Sequence, residues 1–397
     1  MSGNKEQQSK LTDAWVICFS GTDWWYHNRG LFCPQIMKRL AEHHKVLYVN
    51  SLGMRVPSLR KDKYAVKKIT RKLRSISRLL RKVNDNMHVF SVLPFPFLGT
   101  KIGRKLNTLF VFAQVRIAMM LTRVKDPIMF VGCPPALEVV RKIKHRYLIY
   151  ERTDLFEEMP EVDKPYITSL DNELVQSSDL VLYVDAAMYK EGVKQNRNSL
   201  LVGHGVDFSF FADADKSDYI PADVAKIPKP IIGYFGDISD RTFDFDLMQH
   251  LAASLPDMSF ALVGPLSSNV DCLRRFKNIY ILGQKAYEEI PHYGKVFDVS
   301  ILPWTKNRWV MHSYPIKIKE YLALGSPFVT VDIPAVEDFK DVIYVANDYD
   351  DFVSKVCQAI DEDGPGYRQK RKERVRNGTW DSKVQQIIDF VKKDTDF

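Results

Sequence analysis

The amino-acid sequence predicts two doubly wound α/β domains, each built on a parallel sheet. Three observations carry that prediction. Short β-branched and aromatic runs alternate with helical patterns, the mark of strand–helix–strand units. Two of the runs, Ala14–Ser20 and Ile231–Phe235, open into glycine loops at Gly21 and Gly236. The chain has 397 residues, 45% of them apolar and 27% charged, enough for two or three domains that each hold their own core.

In the first half, AWVICFS (residues 14–20) reads as a buried strand, followed by Gly21, Asp23, Trp24, Trp25, Tyr26, His27 and Arg29. A helix around Pro34–His43 and the strand Lys45–Asn50 complete a βαβ unit. Its loop lies at the strand's carboxyl end, where such folds bind ligands. Core packing is an equal reading of the Trp24–Trp25–Tyr26 cluster.

Arg55–Lys82 holds twelve basic residues, Lys67, Arg71, Arg74, Arg78 and Arg81 among them, and one acid, Asp62. Apolar residues recur between them at near-helical spacing, which predicts a basic amphipathic helix on an anionic membrane surface. Leu93–Leu98 and the apolar run Leu106–Leu121 follow, with Lys101, Arg104, Lys105 and Arg116 alongside. Anionic lipid attracts each such cation by about 1 kcal/mol near the surface. The plain alternative is a solvated basic face. No nucleic-acid motif accompanies the charge, so nucleic acid is not expected as a partner.

Ile128–Cys133 and Tyr147–Tyr150 read as further parallel strands, the second followed by Glu151, Arg152, Thr153 and Asp154. A carboxylate at a strand's end is placed for general base work, although acidic N-caps are also common there. A helix over Leu170–Gln176 and a strand over Asp179–Val184 follow. Ala212–Pro230, rich in Asp, Lys and Pro, reads as a linker.

The second half opens with IIGYF (231–235), then Gly236, Asp237, Ile238 and Arg241. Gly233 and Gly236 suit close backbone approach to a diphosphate, and Arg241 suits a phosphate. Phe260–Gly264 and Asn278–Gly283 are two more strands. Asp244 and Asp246 read as helix-start acids, not as a metal pair. The most informative stretch is SYPIKIKEYLALGSPFVTVD (313–332). Pro315 suits the first turn of a helix; Ile318, Tyr321 and Leu322 form its apolar stripe; Gly325 caps it; and Phe328–Val331 is a buried strand. Lys317 and Glu320, three residues apart, share the other face. The helix N-terminus suits a phosphate, and a carboxylate one turn in suits a ribose diol. The same helix–strand pattern also serves as plain architecture in any doubly wound domain. Helices over Asp351–Ile360 and Val384–Lys393 close the chain.

Charge is lopsided. Residues 1–200 carry 33 Lys+Arg against 19 Asp+Glu, or +14, and residues 201–397 carry 24 against 30, or −6, giving the net +8. One half is therefore expected to face an anionic partner. The five cysteines are scattered without a C-x-x-C pair, which argues against a disulfide framework or zinc site and for a reducing compartment. MSGNKEQQSK lacks the apolar region of a secretory signal, and no apolar run reaches the roughly 20 residues a spanning helix needs. The expectation is a cytoplasmic protein, peripheral on the inner face of the membrane.

PIKIKEYLALGSPFV (315–329) resembles the nucleotide-sugar segment P-x-K-x-x-E-[YA]-[LM]-A-x-G-x-P-[VF]-V of GT-B glycosyltransferases, in particular those like family 4 and the bacterial exopolysaccharide and teichuronic-acid transferases. That group commonly carries two glutamates here, the second holding the ribose. Glu320 matches the second, and His312 stands at the first. LLVGHGVDFSFF (200–211) is similar to the family's V-x-N-G-V-D-x-x-x-F connection, with His204 in place of Asn. Asn278–Trp304 resembles the stretch that frames the nucleotide base, which makes Gln284 and Lys285 base contacts. The segment from Glu151 to Asp154 is similar to a Y-D-x-x-D-like element, which makes Asp154 a base or acceptor-orienting group and Glu151 its acidic neighbour.

The resemblance implies GT-B architecture: two Rossmann-like domains facing a central cleft, residues 1–207 and 231–379, a linker at 208–230, and a helix at 380–397 crossing back. It implies a nucleotide sugar, with UDP favoured, as co-substrate, a lipid-linked glycan acceptor, and neither cofactor nor metal. Gly233, Gly236, Arg241, Gln284, Lys285, His312, Pro315, Lys317 and Glu320 fall on the donor side. Gly21, Trp24, Trp25 and His27 fall on the acceptor side. A nucleotide-sugar 2-epimerase-like enzyme and a non-catalytic membrane scaffold are the alternatives on this fold.

Overall fold

The computed structural model describes residues 14–25, 30–50, 52, 70, 74–93, 100–159 and 162–394. The chain forms two compact units: Met1–Gly203 with Lys383–Phe397, and His204–Ser382.

The first unit is an eight-stranded sheet. Its strands are β1 (Trp15–Phe19), β2 (Lys45–Asn50), β3 (Leu80–Lys82), β4 (Met87–Ser91), β5 (Ile128–Val131), β6 (Tyr147–Arg152), β7 (Leu180–Tyr183) and β8 (Ser199–Leu201), in the order β3-β4-β2-β1-β5-β6-β7-β8. The pairings are parallel except β3 against β4. Central strands are buried on both faces, which is why they read as unbroken apolar runs. The chain steps from β1 to β2 on one side and places β5 on the other, so the topological switch lies between β1 and β5. The helices used below are α1 (Phe32–Leu40), α2 (Lys101–Thr122) and α3 (Lys164–Ser177). Thr100 caps α2 by accepting from the Gly103 N–H at 3.0 Å, and Asp163 caps α3 by accepting from the Tyr166 N–H at 3.2 Å.

The expected basic amphipathic helix ends differently. Lys67 and Arg71 lie outside the described residues, Arg74 sits in a short helical turn, and Arg81 is on β3. Leu79, at φ 47°, turns the chain so that Leu80, Arg81 and Lys82 pair with Phe90, Val89 and His88. The open edge of β4 supplies backbone partners that a continued helix would leave unused.

The second unit holds β9 (Ile231–Phe235), β10 (Ser259–Val263), β11 (Ile279–Gly283), β12 (Val299–Leu302), β13 (Phe328–Val331) and β14 (Tyr344–Ala346), in the parallel order β11-β10-β9-β12-β13-β14. Its switch point lies between β9 and β12. Helix α4 (Phe245–Ser254) is capped by Asp244, which accepts from the Asp246 and Leu247 N–H groups at 3.1 and 2.9 Å. Helix α5 (Lys317–Leu324) starts two residues after Pro315, whose carbonyl accepts from the Ile318 N–H, and ends at Gly325 with φ 78°. Residues 208–230 are not a free linker: Phe211, Val224 and Ile227 are buried in this unit's core, because the segment carries its own apolar anchors. The closing helix is α6 (Trp380–Asp394), whose residues from Lys383 on belong to the first unit. Among the described residues no helix is long and apolar enough to cross a membrane.

Candidate active site

In the second unit the loops after β9 and β10 are pressed together. Gly236 and Gly264 both have φ of 153°, a conformation that favours glycine. A Cβ on Gly264 would stand 1.8 Å from the Gly236 carbonyl oxygen, and one on Gly236 would stand 2.1 Å from Lys317 Cε. The α5 lysine therefore lies directly against the first glycine loop. Its Nζ is 5.6 Å from the centre of the Trp304 ring, at the end of β12. Burial lowers the Lys317 pKa, and the charges of Glu320 and Asp237 oppose that shift. Glu320, 6% exposed, is pushed up to about 7 by burial, against the pull of Lys317 and a hydrogen bond from Tyr287. A carboxyl that ionises near neutrality and a cation beside two glycine loops make a place for a polyol next to a diphosphate.

The other donor-side residues are placed unevenly. Arg241 stacks its guanidinium 4.2 Å above the Trp309 ring, in the loop after β9. His312 closes the short helix Arg308–Met311, ahead of Pro315. Gln284 is exposed in the loop after β11. Two expectations need correction. Gly233 lies mid-strand, and the Phe297 ring fills the space of its missing Cβ, within 2.0 Å, so this glycine serves packing. Lys285 is held by Asp223 at 2.5 Å, while Asp223 also accepts from the Tyr293 hydroxyl at 2.8 Å. Its ammonium is thereby tied to the segment that precedes β9.

In the first unit, Gly21 and Gly132 meet at the switch point; a Cβ on Gly21 would stand 3.3 Å from the Gly132 carbonyl oxygen. The Trp24 ring is buried edge-on against Tyr48 at 5.2 Å, and its backbone N–H donates to Asn50 Oδ1 at 2.7 Å, which places this tryptophan in the core. Trp25 lies under the Arg78 guanidinium at 4.5 Å. His27 falls outside the described residues. Glu151 is the penultimate residue of β6, 4% exposed. The Cys33 thiol donates to its Oε2 at 2.6 Å, and the Thr153 hydroxyl to its Oε1 at 3.3 Å. Burial drives its pKa up to about 8; the two hydrogen bonds oppose this and the charge of Asp154 adds to it. Burial also holds the Cys33 thiol well above its ordinary range, so it remains a donor. Asp154, half-buried, stands three residues beyond Glu151 at the same strand end. One buried acid thus stays protonated near neutrality beside a more accessible one.

Residues 229–362 match the family model described as Glycosyl transferases group 1. That stretch is a glycosyl transferase group 1 domain. It contains Gly236, Gly264, Lys317 and Glu320. The chain is also 25% identical over 246 residues to the putative teichuronic acid biosynthesis glycosyltransferase TuaH of Bacillus subtilis (strain 168), an alignment covering 59% of this chain and 62% of that protein. Among solved structures, sucrose-phosphate synthase from Thermosynechococcus elongatus matches with a TM-score of 0.70 at 12% identity, over 96% of this chain and 98% of that one. Anabaena HepE in complex with UDP matches with a TM-score of 0.63 at 14% identity, over 96% and 100%. At these identities the likeness is one of fold, and the fold is GT-B.

Several groups around the glycosyl transferase domain's glycine loops escape sequence reasoning. Gly264 closes β10 as Gly236 closes β9, and the shared strand-end glycine is a usable signal. Tyr287 and Trp304 reach Glu320 and Lys317 from separate elements, and no local spacing announces them.

Proposed function

We propose that the protein is a glycosyltransferase that moves a sugar from a UDP-sugar to a hydroxyl of a lipid-linked glycan acceptor, at the cytoplasmic face of a membrane. One observation carries the donor half: Lys317 and Glu320 stand together on α5 beneath the glycine loop at the sheet's switch point. The UDP held by HepE and the teichuronic-acid assignment of TuaH support the donor and acceptor classes.

In this reading the Gly236 loop and the start of α5 receive the diphosphate, with Lys317 and Arg241 neutralising charge as the bond from the anomeric carbon to the diphosphate oxygen breaks. Glu320 accepts hydrogen bonds from the ribose hydroxyls. Gln284 reaches the base, and His312 lies toward the sugar. Asp154 takes the acceptor hydroxyl's proton as the new glycosidic bond forms, and the protonated Glu151 holds the local charge down. The first-unit loop at Gly21 and Trp25, and the basic residues Arg74, Arg78 and Arg81, face acceptor and lipid.

Incubation with radiolabelled UDP-sugars and a bacterial membrane extract tests this. Label should enter the organic-soluble fraction with wild type and fail to do so with Asp154→Asn, which should still bind donor. Undiminished transfer by Asp154→Asn refutes its role. An epimerised donor without transfer refutes the whole reading.

A further inference from the structure

Helix α2 has two apolar faces. Val111, Val115, Ala118 and Met119 are buried in the first unit. On the other side, Ile102, Leu106, Leu109, Ile117 and Met120 are 47% to 74% exposed. Their spacing of i, i+4, i+7, i+15 and i+18 returns to one side of a 3.6-residue helix. Seven of the fifteen large apolar side chains exposed among the described residues lie on this one helix. Leu93 lies alongside the helix: Gln114 bonds its N–H and its C=O, both at 2.9 Å, and leaves its side chain 43% exposed. A contiguous apolar surface of this kind marks a contact.

The charge around the stripe says what it contacts. Residues 101–125 carry six Lys and Arg and no acid. At about 100° per residue, Lys105 and Arg116 fall on one flank of the stripe, and both are exposed. The surface is thus apolar along its middle and cationic at its margin, which complements an anionic bilayer, acyl chains below and phosphates beside. The helix is roughly 33 Å long at about 1.5 Å per residue, yet it is not apolar enough to cross.

We infer that α2 is the membrane-docking element. It lies flat in the headgroup region of an anionic bilayer with the Ile102–Met120 stripe in the acyl boundary. This rests on the reading that the protein works at a membrane surface. It moves the main lipid contact from the basic stretch 55–82 to the helix that follows.

Co-sedimentation of the full chain with phosphatidylcholine vesicles, with and without phosphatidylglycerol, tests it. Wild type should sediment with the phosphatidylglycerol vesicles. Leu106→Glu/Ile117→Glu should lower that partition roughly tenfold or more, and Lys105→Glu/Arg116→Glu should lower it most at low salt. Both variants should keep the wild-type melting temperature and its increase with UDP, which shows that they fold. A stripe variant that partitions like wild type overturns the inference, as does wild type that ignores anionic vesicles. A concentration-dependent dimer abolished by the stripe variant, with no vesicle binding, assigns the face to a second copy and overturns it too. Absent UDP stabilisation of wild type refutes the donor reading instead, independently of the vesicle result.

Discussion

Glu151→Gln gives a stability difference whose size and pH course follow from the site. In the folded chain burial raises the Glu151 pKa from the usual 4.5 to about 8. Between those values the folded state holds a proton that the unfolded state has lost, so stability falls as pH rises through the window and levels off above pH 8. The full shift corresponds to an order of 5 kcal/mol of destabilisation at alkaline pH, or about 1.4 kcal/mol per pH unit. Glutamine keeps the shape and one oxygen acceptor, replaces the other oxygen by an NH2 group, and has nothing to ionise. The variant should therefore gain on wild type steadily from pH 5 to 8 and no further. Calorimetric melting from pH 5.5 to 9.5, following the transition of the first unit, reads this. A wild-type-to-variant gap that does not change with pH refutes the buried, protonated state.

Two further outcomes follow from the donor side. Gly264→Ala forces a side chain into a φ of 153° and against the Gly236 carbonyl; it should cost about 1–3 kcal/mol or more and abolish UDP-dependent stabilisation, read by melting with and without UDP. Glu320, whose carboxyl is pushed up to about 7, should hold a ribose diol best when ionised, so UDP affinity should rise between pH 6 and 8. Glu320→Gln should bind weakly and without that pH dependence in calorimetric titration.

The sequence is most legible where burial is complete. Val46–Val49, Ile231–Phe235 and Phe328–Val331 are buried runs rich in β-branched and aromatic residues, and the structure places strands over them. The edge strands Leu80–Lys82, Ser199–Leu201 and Tyr344–Ala346 are three residues long. Their partners decide them, and partners are not written in the local pattern. The same divide runs through the site. Lys317 and Glu320 announce themselves through helical spacing, because one element carries both. Cys33 meets Glu151 from 118 residues away, and Lys285 is held by Asp223 from 62 residues away. A lysine after a strand-end glycine reads as a ligand contact until its distant carboxylate partner is seen. Gly233 misleads for a similar reason: Phe297, far along the chain, supplies the ring that needs its missing Cβ.

Calorimetric titration of wild type and Lys317→Met with UDP and with uridine tests the central claim most directly. Wild type should bind UDP far more tightly than uridine, and Lys317→Met should remove most of that difference while leaving uridine binding nearly unchanged. Equal UDP binding by wild type and Lys317→Met, or no UDP binding at all, would contradict the placement of a diphosphate at this loop.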